Sequence, residues 1–69
     1  MELRAKVLKY LERNPSDFIT LSRNLDIETN ELADEINNLL KAGYLTKANE
    51  VFHLTDRARE YLKIEESET

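Results

Sequence analysis

The sequence contains no cysteine and no tryptophan, and it has only one glycine and one proline among its 69 residues. Without cysteine, neither a disulfide framework nor a thiolate metal site can form. The shortage of glycine and proline excludes a Gly-rich phosphate-binding loop and a collagen-like repeat, and it argues against disorder. No uncharged run approaches the roughly 20 apolar residues of a membrane span. The amino-terminal residues begin no apolar leader. We therefore expect a cytoplasmic protein that does not associate with a membrane.

The chain is long enough for one domain at most. A domain of this size buries only about 60% of the surface that its unfolded chain exposes, so we expect no cofactor cavity. The formal net charge is −4, which is the wrong sign for a protein that binds nucleic acid. The acidic excess is concentrated in two places. Residues 28–45 carry four acidic side chains and one basic side chain. Residues 63–69 carry three acidic side chains and one basic side chain.

Apolar residues that recur every three or four positions predict four amphipathic helices. The first covers residues 2–13 and ends before Pro15, because a proline disfavours helical geometry in the residue that precedes it. Ser16 or Asp17 caps the second, which runs to about residue 24. The third covers residues 28–42, where Gly43 fits a left-handed helix end. The last covers residues 56–64. The predicted inward residues are Leu3, Val7, Leu8, Leu11, Phe18, Leu21, Leu25, Leu32, Ala33, Ile36, Leu39, Leu40, Ala58, Tyr61 and Leu62.

Two β-prone runs, residues 44–47 and 51–54, predict a hairpin between the third and fourth helices. The intervening residues 48–50 are its predicted loop, with Asn49 at positive φ. Alternation directs Leu45, Phe52 and Leu54 inward. The predicted fold is therefore mainly helical with a small hairpin, in the order α-α-α-β-β-α over residues 1–64. Residues 65–69 form an acidic tail that we expect to be disordered.

Three stretches carry a resemblance to a known architecture. Residues 18–27 read FITLSRNLDI and look like a positioning helix with its turn. Residues 39–45 read LLKAGYL and are similar to the exit from a recognition helix into a wing strand. Residues 52–62 read FHLTDRAREYL and resemble a Leu-Thr-x-x-Gly-Arg-x-x-Leu motif in which Ala58 replaces the glycine. Together they resemble the winged helix-turn-helix domain of small bacterial and archaeal transcriptional regulators of the MarR and PadR sort.

The resemblance implies that the third helix enters the major groove of DNA and that the hairpin touches the adjacent backbone or the minor groove. Asparagines on this helix favour the interpretation, because an Asn side chain can pair bidentately with adenine. Function would then be sequence-specific DNA binding by a small regulator. The candidate DNA-binding residues are Arg23, Thr29, Asn30, Asn37, Asn38, Lys41 and Lys47.

Four carboxylates on the same helix oppose this interpretation, since phosphate contacts by cations supply most of the affinity of such proteins. They are Glu28, Glu31, Asp34 and Glu35. The alternative is a winged-helix module that binds a protein through these residues and does not bind DNA. A third hypothesis is a DNA mimic that competes for a basic partner.

Enzyme chemistry has little basis in this sequence. His53 is the only histidine, and no serine lies in a recognisable nucleophile pattern. We expect no catalytic residue, no cofactor, no small-molecule substrate and no metal, because the acidic residues lack a loop that could wrap a cation. Tyr10 and Tyr61 lie on the two terminal helices, which similar regulators use for pairing. They are candidate residues of a homodimer contact.

Overall fold

The computed structural model describes the backbone of residues 2–67 and the side chains of residues 2–65. It consists of four helices and one two-stranded antiparallel hairpin, in the predicted order α-α-α-β-β-α. No helix in this described range is long and apolar enough to cross a membrane. The elements are α1 (Leu3–Arg13), α2 (Phe18–Leu25), α3 (Thr29–Lys41), β1 (Leu45–Ala48), β2 (Val51–Leu54) and α4 (Asp56–Ser67).

The connection between α1 and α2 is fixed by two neighbouring polar residues. Asp17 is the N-cap of α2, with its Oδ1 accepting a hydrogen bond from the Thr20 backbone N–H at 2.8 Å. Ser16, the other candidate cap, is buried, and its hydroxyl donates to the Asn14 carbonyl at 2.6 Å. The Ser16 carbonyl also accepts from the Phe52 N–H at 2.9 Å. The connection therefore lies along the free edge of β2, a contact that the sequence did not predict.

Helix α3 ends at its predicted signal, whereas its N-cap was not predicted. The carboxylate of Glu28 accepts from the Glu31 N–H at 2.9 Å and so acts as the N-cap. At the other end Gly43 has a φ of 83°, a left-handed conformation that glycine adopts without strain. The Tyr44 N–H then bonds the Leu39 carbonyl at 2.9 Å, closing a Schellman motif. This cap sets the direction in which the chain enters β1.

The hairpin loop is one residue shorter than predicted. Ala48 pairs with Val51, so that only Asn49 and Glu50 form the loop. Both have positive φ, 50° and 68°, which is the pattern of a type I′ turn. Such a two-residue turn matches the twist of antiparallel strands, and this explains why Ala48 joins the strand. The predicted positive φ of Asn49 is confirmed.

One core holds the elements together, and its members are almost those that the periodicity predicts. Ala5 on α1 is buried although it was not predicted to face inward, and Ala33 on α3 is exposed although it was. The buried face of that helix is the narrower stripe of Leu32, Ile36 and Leu39, and Ala33 lies at its edge. The buried apolar residues are Ala5, Val7, Leu8, Leu11, Leu21, Leu32, Ile36, Leu39, Leu45, Phe52, Leu54, Ala58 and Leu62.

Helix α4 continues to Ser67, three residues beyond the predicted end at Ile64. Part of the predicted disordered tail, residues 65–67, is therefore helical. The Glu65 carboxylate lies 3.0 Å from the Tyr61 hydroxyl, one turn earlier, and this contact supports the additional turn. Residues 68 and 69 lie outside the described residues.

Candidate nucleic-acid interface

The solvent-facing side of α3 carries a straight row of four polar residues, which we name the outer stripe. Its members are Asn30, Asp34, Asn37 and Lys41, and all four are exposed. They lie at i, i+4, i+7 and i+11, opposite the buried face, so the stripe follows the helix for about 16 Å. Among the described residues none of these side chains forms a hydrogen bond or an ion pair within the chain. Their polar groups are therefore available to an external partner.

Thr29 and Asn38, the remaining candidates on α3, flank the outer stripe. Thr29 occupies the first position of the helix and Asn38 lies in its second half, and both are exposed. On the helical wheel they fall on opposite sides of the stripe. The structure thus brings the four predicted polar residues Asn30, Asn37, Asn38 and Lys41 together on one surface, with Thr29 at its edge.

Two of the four acidic candidates are engaged within the chain. Glu28 is the N-cap described above. Glu35 is turned towards α1, where its Oε2 lies 3.1 Å from Arg4 Nε, and its side chain is only 15% exposed. This hydrogen bond raises the pKa of Arg4 above its ordinary value. Glu31 and Asp34 remain exposed, and only Asp34 belongs to the outer stripe.

The candidate cations differ in whether they form an ion pair within the chain. Lys41, on the outer stripe, and Arg23, in the last turn of α2, are exposed and form no ion pair with a described residue. Lys47 on β1 is paired with Glu50 across the hairpin turn, at 3.2 Å, and its ammonium group lies 5.8 Å from the centroid of the Phe52 ring. The hairpin therefore presents a largely neutralised cation next to a two-residue loop.

The two tyrosines of the proposed dimer contact are half-buried and have partners within the chain. The Tyr10 hydroxyl accepts a hydrogen bond of 2.5 Å from Asn24 Nδ2, which joins α1 to α2. The Tyr61 hydroxyl donates to the Glu2 carboxylate, which joins α4 to the start of α1. That bond is the main reason why the pKa of Tyr61 is raised well above its ordinary value of 10. A dimer contact through these residues stays a prediction.

Sequence reasoning missed the cluster that surrounds Tyr44. The guanidinium carbons of Arg4 and Arg57 lie 5.7 Å and 5.3 Å from its ring centroid, and the Tyr61 ring centroid lies 5.6 Å away. Cations over an aromatic face are attracted by its quadrupole. Arg4 also holds Glu35, so the cluster joins α1 to α3 and joins the segment after α3 to both terminal helices. Its members come from distant parts of the chain, and no local sequence pattern indicates them.

A second surface feature lies between α2 and the hairpin. Ile19 is 63% exposed there, beside a shallow cavity of about 240 Å³. The cavity is lined mainly by apolar side-chain surface, with charged residues at its margin. Its lining residues are Asp17, Phe18, Ile19, Lys47, Glu50 and Phe52.

Neither His53 nor the acidic residues form a metal-binding arrangement. His53 is exposed on β2, and among the side chains of residues 2–65 no three His, Cys, Asp or Glu are grouped to hold a metal ion. No protein-family model and no curated protein matches the sequence.

Proposed function

We propose that the chain is a winged helix-turn-helix domain that binds double-stranded DNA, with α3 as the helix that enters the major groove. The outer stripe carries the proposal. It offers two asparagine amides, one carboxylate and one ammonium group, all exposed and without partners among the described residues. These are groups that form hydrogen bonds to base edges. Such a domain acts as the DNA-binding unit of a small transcriptional regulator, with pairing through α1 and α4 as its route to a homodimer.

The arrangement of the carboxylates supports this proposal against the charge argument. Glu28 caps the helix, where its charge is compensated by the N-terminal backbone amides. Glu35 is neutralised by Arg4 on the side of α3 that faces α1. Repulsion of phosphate by α3 therefore comes mainly from Glu31 and Asp34. Arg23 and Lys41 are the candidate cations that form no ion pair with a described residue, so we expect weak binding with a slope of log K against log salt of about −2.

An amide chemical-shift titration with a mixed-sequence duplex tests the proposal. It is run at about 20 mM and again at about 150 mM salt, because phosphate contacts strengthen as salt falls. We expect shifts confined to residues 20–41 and 47–50 that fade at the higher salt concentration. A duplex that leaves the α3 amides unshifted at low salt would refute the proposal.

A pair of lysine variants separates a local contact from an effect of net charge. Lys41→Ala removes the cation of the outer stripe, while Lys6→Ala removes an exposed lysine from α1; neither forms an ion pair with a described residue. We expect Lys41→Ala to weaken binding several-fold for all sequences and to reduce the salt slope by about 1. Lys6→Ala should leave both quantities unchanged. Equal losses in the two variants would show that α3 is not the contact surface.

A protein-interaction module is the second candidate, and the exposed Ile19 beside its apolar cavity favours it. Charge reversal of Glu31 and Asp34 to lysine distinguishes the two functions. If DNA is the partner, the double variant binds duplex more tightly, because two repulsive charges become attractive. If α3 recognises a basic protein surface, the double variant abolishes that interaction, and the native chain shows no duplex binding.

A further inference from the structure

We infer that the outer stripe reads a short major-groove element in which a cytosine, contacted by Asp34, lies between two adenines, contacted by Asn30 and Asn37. The inference rests on the proposed DNA-binding function and specifies its sequence preference. It follows from three properties of these residues: their chemistry, their freedom from contacts within the chain, and their spacing along α3.

The chemistry assigns one base to each type of side chain. A carboxylate is only an acceptor, and in the major groove cytosine N4 is a donor with no adjacent acceptor on the same base. Guanine O6 and thymine O4 are acceptors, so they repel Asp34. An asparagine amide both donates and accepts, which matches N7 and N6 of adenine. Asn30 and Asn37 therefore each prefer an adenine, and Asp34, which lies between them, prefers a cytosine.

The three side chains are free to make these contacts. Asn30, Asp34 and Asn37 are exposed, and no described residue donates a hydrogen bond to them or accepts one from them. This distinguishes Asp34 from Glu28 and Glu35, whose carboxylates already accept a hydrogen bond within the chain. Of the acidic residues of α3, Asp34 alone lies on the outer stripe with unused acceptor capacity.

The spacing fits a few consecutive base pairs. Along α3, Asp34 lies about 6 Å from Asn30 and about 4.5 Å from Asn37, at 1.5 Å per residue. The two asparagines are thus about 10.5 Å apart, or roughly three steps of 3.4 Å along a strand. A helix that follows the groove would place the adenines about three steps apart, with the cytosine between them.

A site with few cations gains little affinity from phosphate contacts, so its binding depends strongly on contacts with the bases. Asp34 weakens binding to every duplex by repelling phosphate, and this loss of affinity is offset only where a cytosine N4–H donates a hydrogen bond to its carboxylate. A wrong base therefore weakens binding in two ways: it forms no hydrogen bond with Asp34, and it leaves the repulsion by the carboxylate uncompensated. We expect a single mismatch at any of the three positions to weaken binding roughly 10- to 100-fold, the range for loss of a good base contact.

The experiment is selection from a duplex library with randomised central base pairs, at low salt, followed by affinity measurements on single-site variants of the selected duplex. The native chain should select a cytosine that lies between two adenines about three base steps apart. Asp34→Asn has nearly the same shape but is an amide, so we expect it to prefer adenine over cytosine at the middle position by roughly tenfold. Asn37→Ala should lose the preference for adenine at one flank only.

Glu31→Gln is the matched control, because it removes one exposed carboxylate from α3 beside the outer stripe. Both amide variants should bind duplexes that lack the selected element more tightly, because each removes one repulsive charge, but only Asp34→Asn should change the preferred base. An Asp34→Asn variant that still prefers cytosine would overturn the inference. Uniform binding across the library, with shifts in the α3 amides, would overturn it while leaving DNA binding intact. No binding to any duplex would overturn both.

Discussion

The left-handed residue at the end of α3 allows a stability prediction whose magnitude can be worked out. Gly43 has a φ of +83°, and the nearest atom to a Cβ placed there is Arg57 Cδ at 3.8 Å, an ordinary van der Waals contact. A Gly43→Ala substitution therefore meets no steric obstacle. Its cost is the strain of a left-handed alanine, about 1–2 kcal/mol, reduced by about 0.4–1 kcal/mol because alanine restricts the unfolded chain.

We expect a net loss of about 1 kcal/mol in the free energy of unfolding, measured by urea denaturation. For a domain of this size that corresponds to a decrease in Tm of roughly 4–8 °C. Gly43→Asn is the control, since asparagine adopts left-handed geometry more easily, and it should lose about half as much. An alanine variant as stable as the native chain would refute the strain argument. A loss above about 3 kcal/mol would refute the claim that the site has room for a Cβ.

Two predictions concern titratable groups. The hydrogen bonds from Thr20 hold the pKa of Asp17 below its ordinary value of 3.8. The cap therefore stabilises the fold above pH 3.8 and is lost as the pH falls through the lowered value. Asp17→Asn should lower the Tm at neutral pH, and this difference should shrink in acid; a difference independent of pH would contradict the assignment. The raised pKa of Tyr61 stabilises the fold fully below pH 10, and this stabilisation is lost as the pH rises through the folded value. In an ultraviolet titration one phenol should ionise later than the others, and Tyr61→Phe, but not Tyr10→Phe, should abolish that late step.

Several element boundaries of this protein could be predicted because their signals are local, although β1 and α4 both extend beyond their predicted ends. The cap of α2, the end of α3 and the turn at Asn49 each depend on residue types that tolerate a specific backbone geometry. The inward face of each helix follows from spacing. The prediction that Ala33 faces inward was wrong, because small residues occur on either side of a helix and carry little information about burial.

The polar contacts that shape the candidate site could not be predicted in this way. Arg4 and Glu35 are 31 residues apart, and Tyr61 and Glu2 are 59 apart. Nothing in the local pattern indicates that Glu35 turns towards α1 while Asp34, its neighbour, faces solvent. From the sequence alone all acidic residues of α3 therefore carried equal weight against DNA binding.

The bond between the Phe52 N–H and the Ser16 carbonyl has a consequence for how the chain folds. The pairing of β1 with β2 uses only local contacts and a favourable turn, so the hairpin can form within microseconds. An isolated two-stranded hairpin is nevertheless only marginally stable in water. The Phe52 amide points away from β1 and is protected only when the segment before α2 has reached the far edge of the hairpin. Its hydrogen exchange rate therefore reports closure of the loop that contains α2 and α3, whereas the neighbouring His53 amide, which faces β1, reports the hairpin itself.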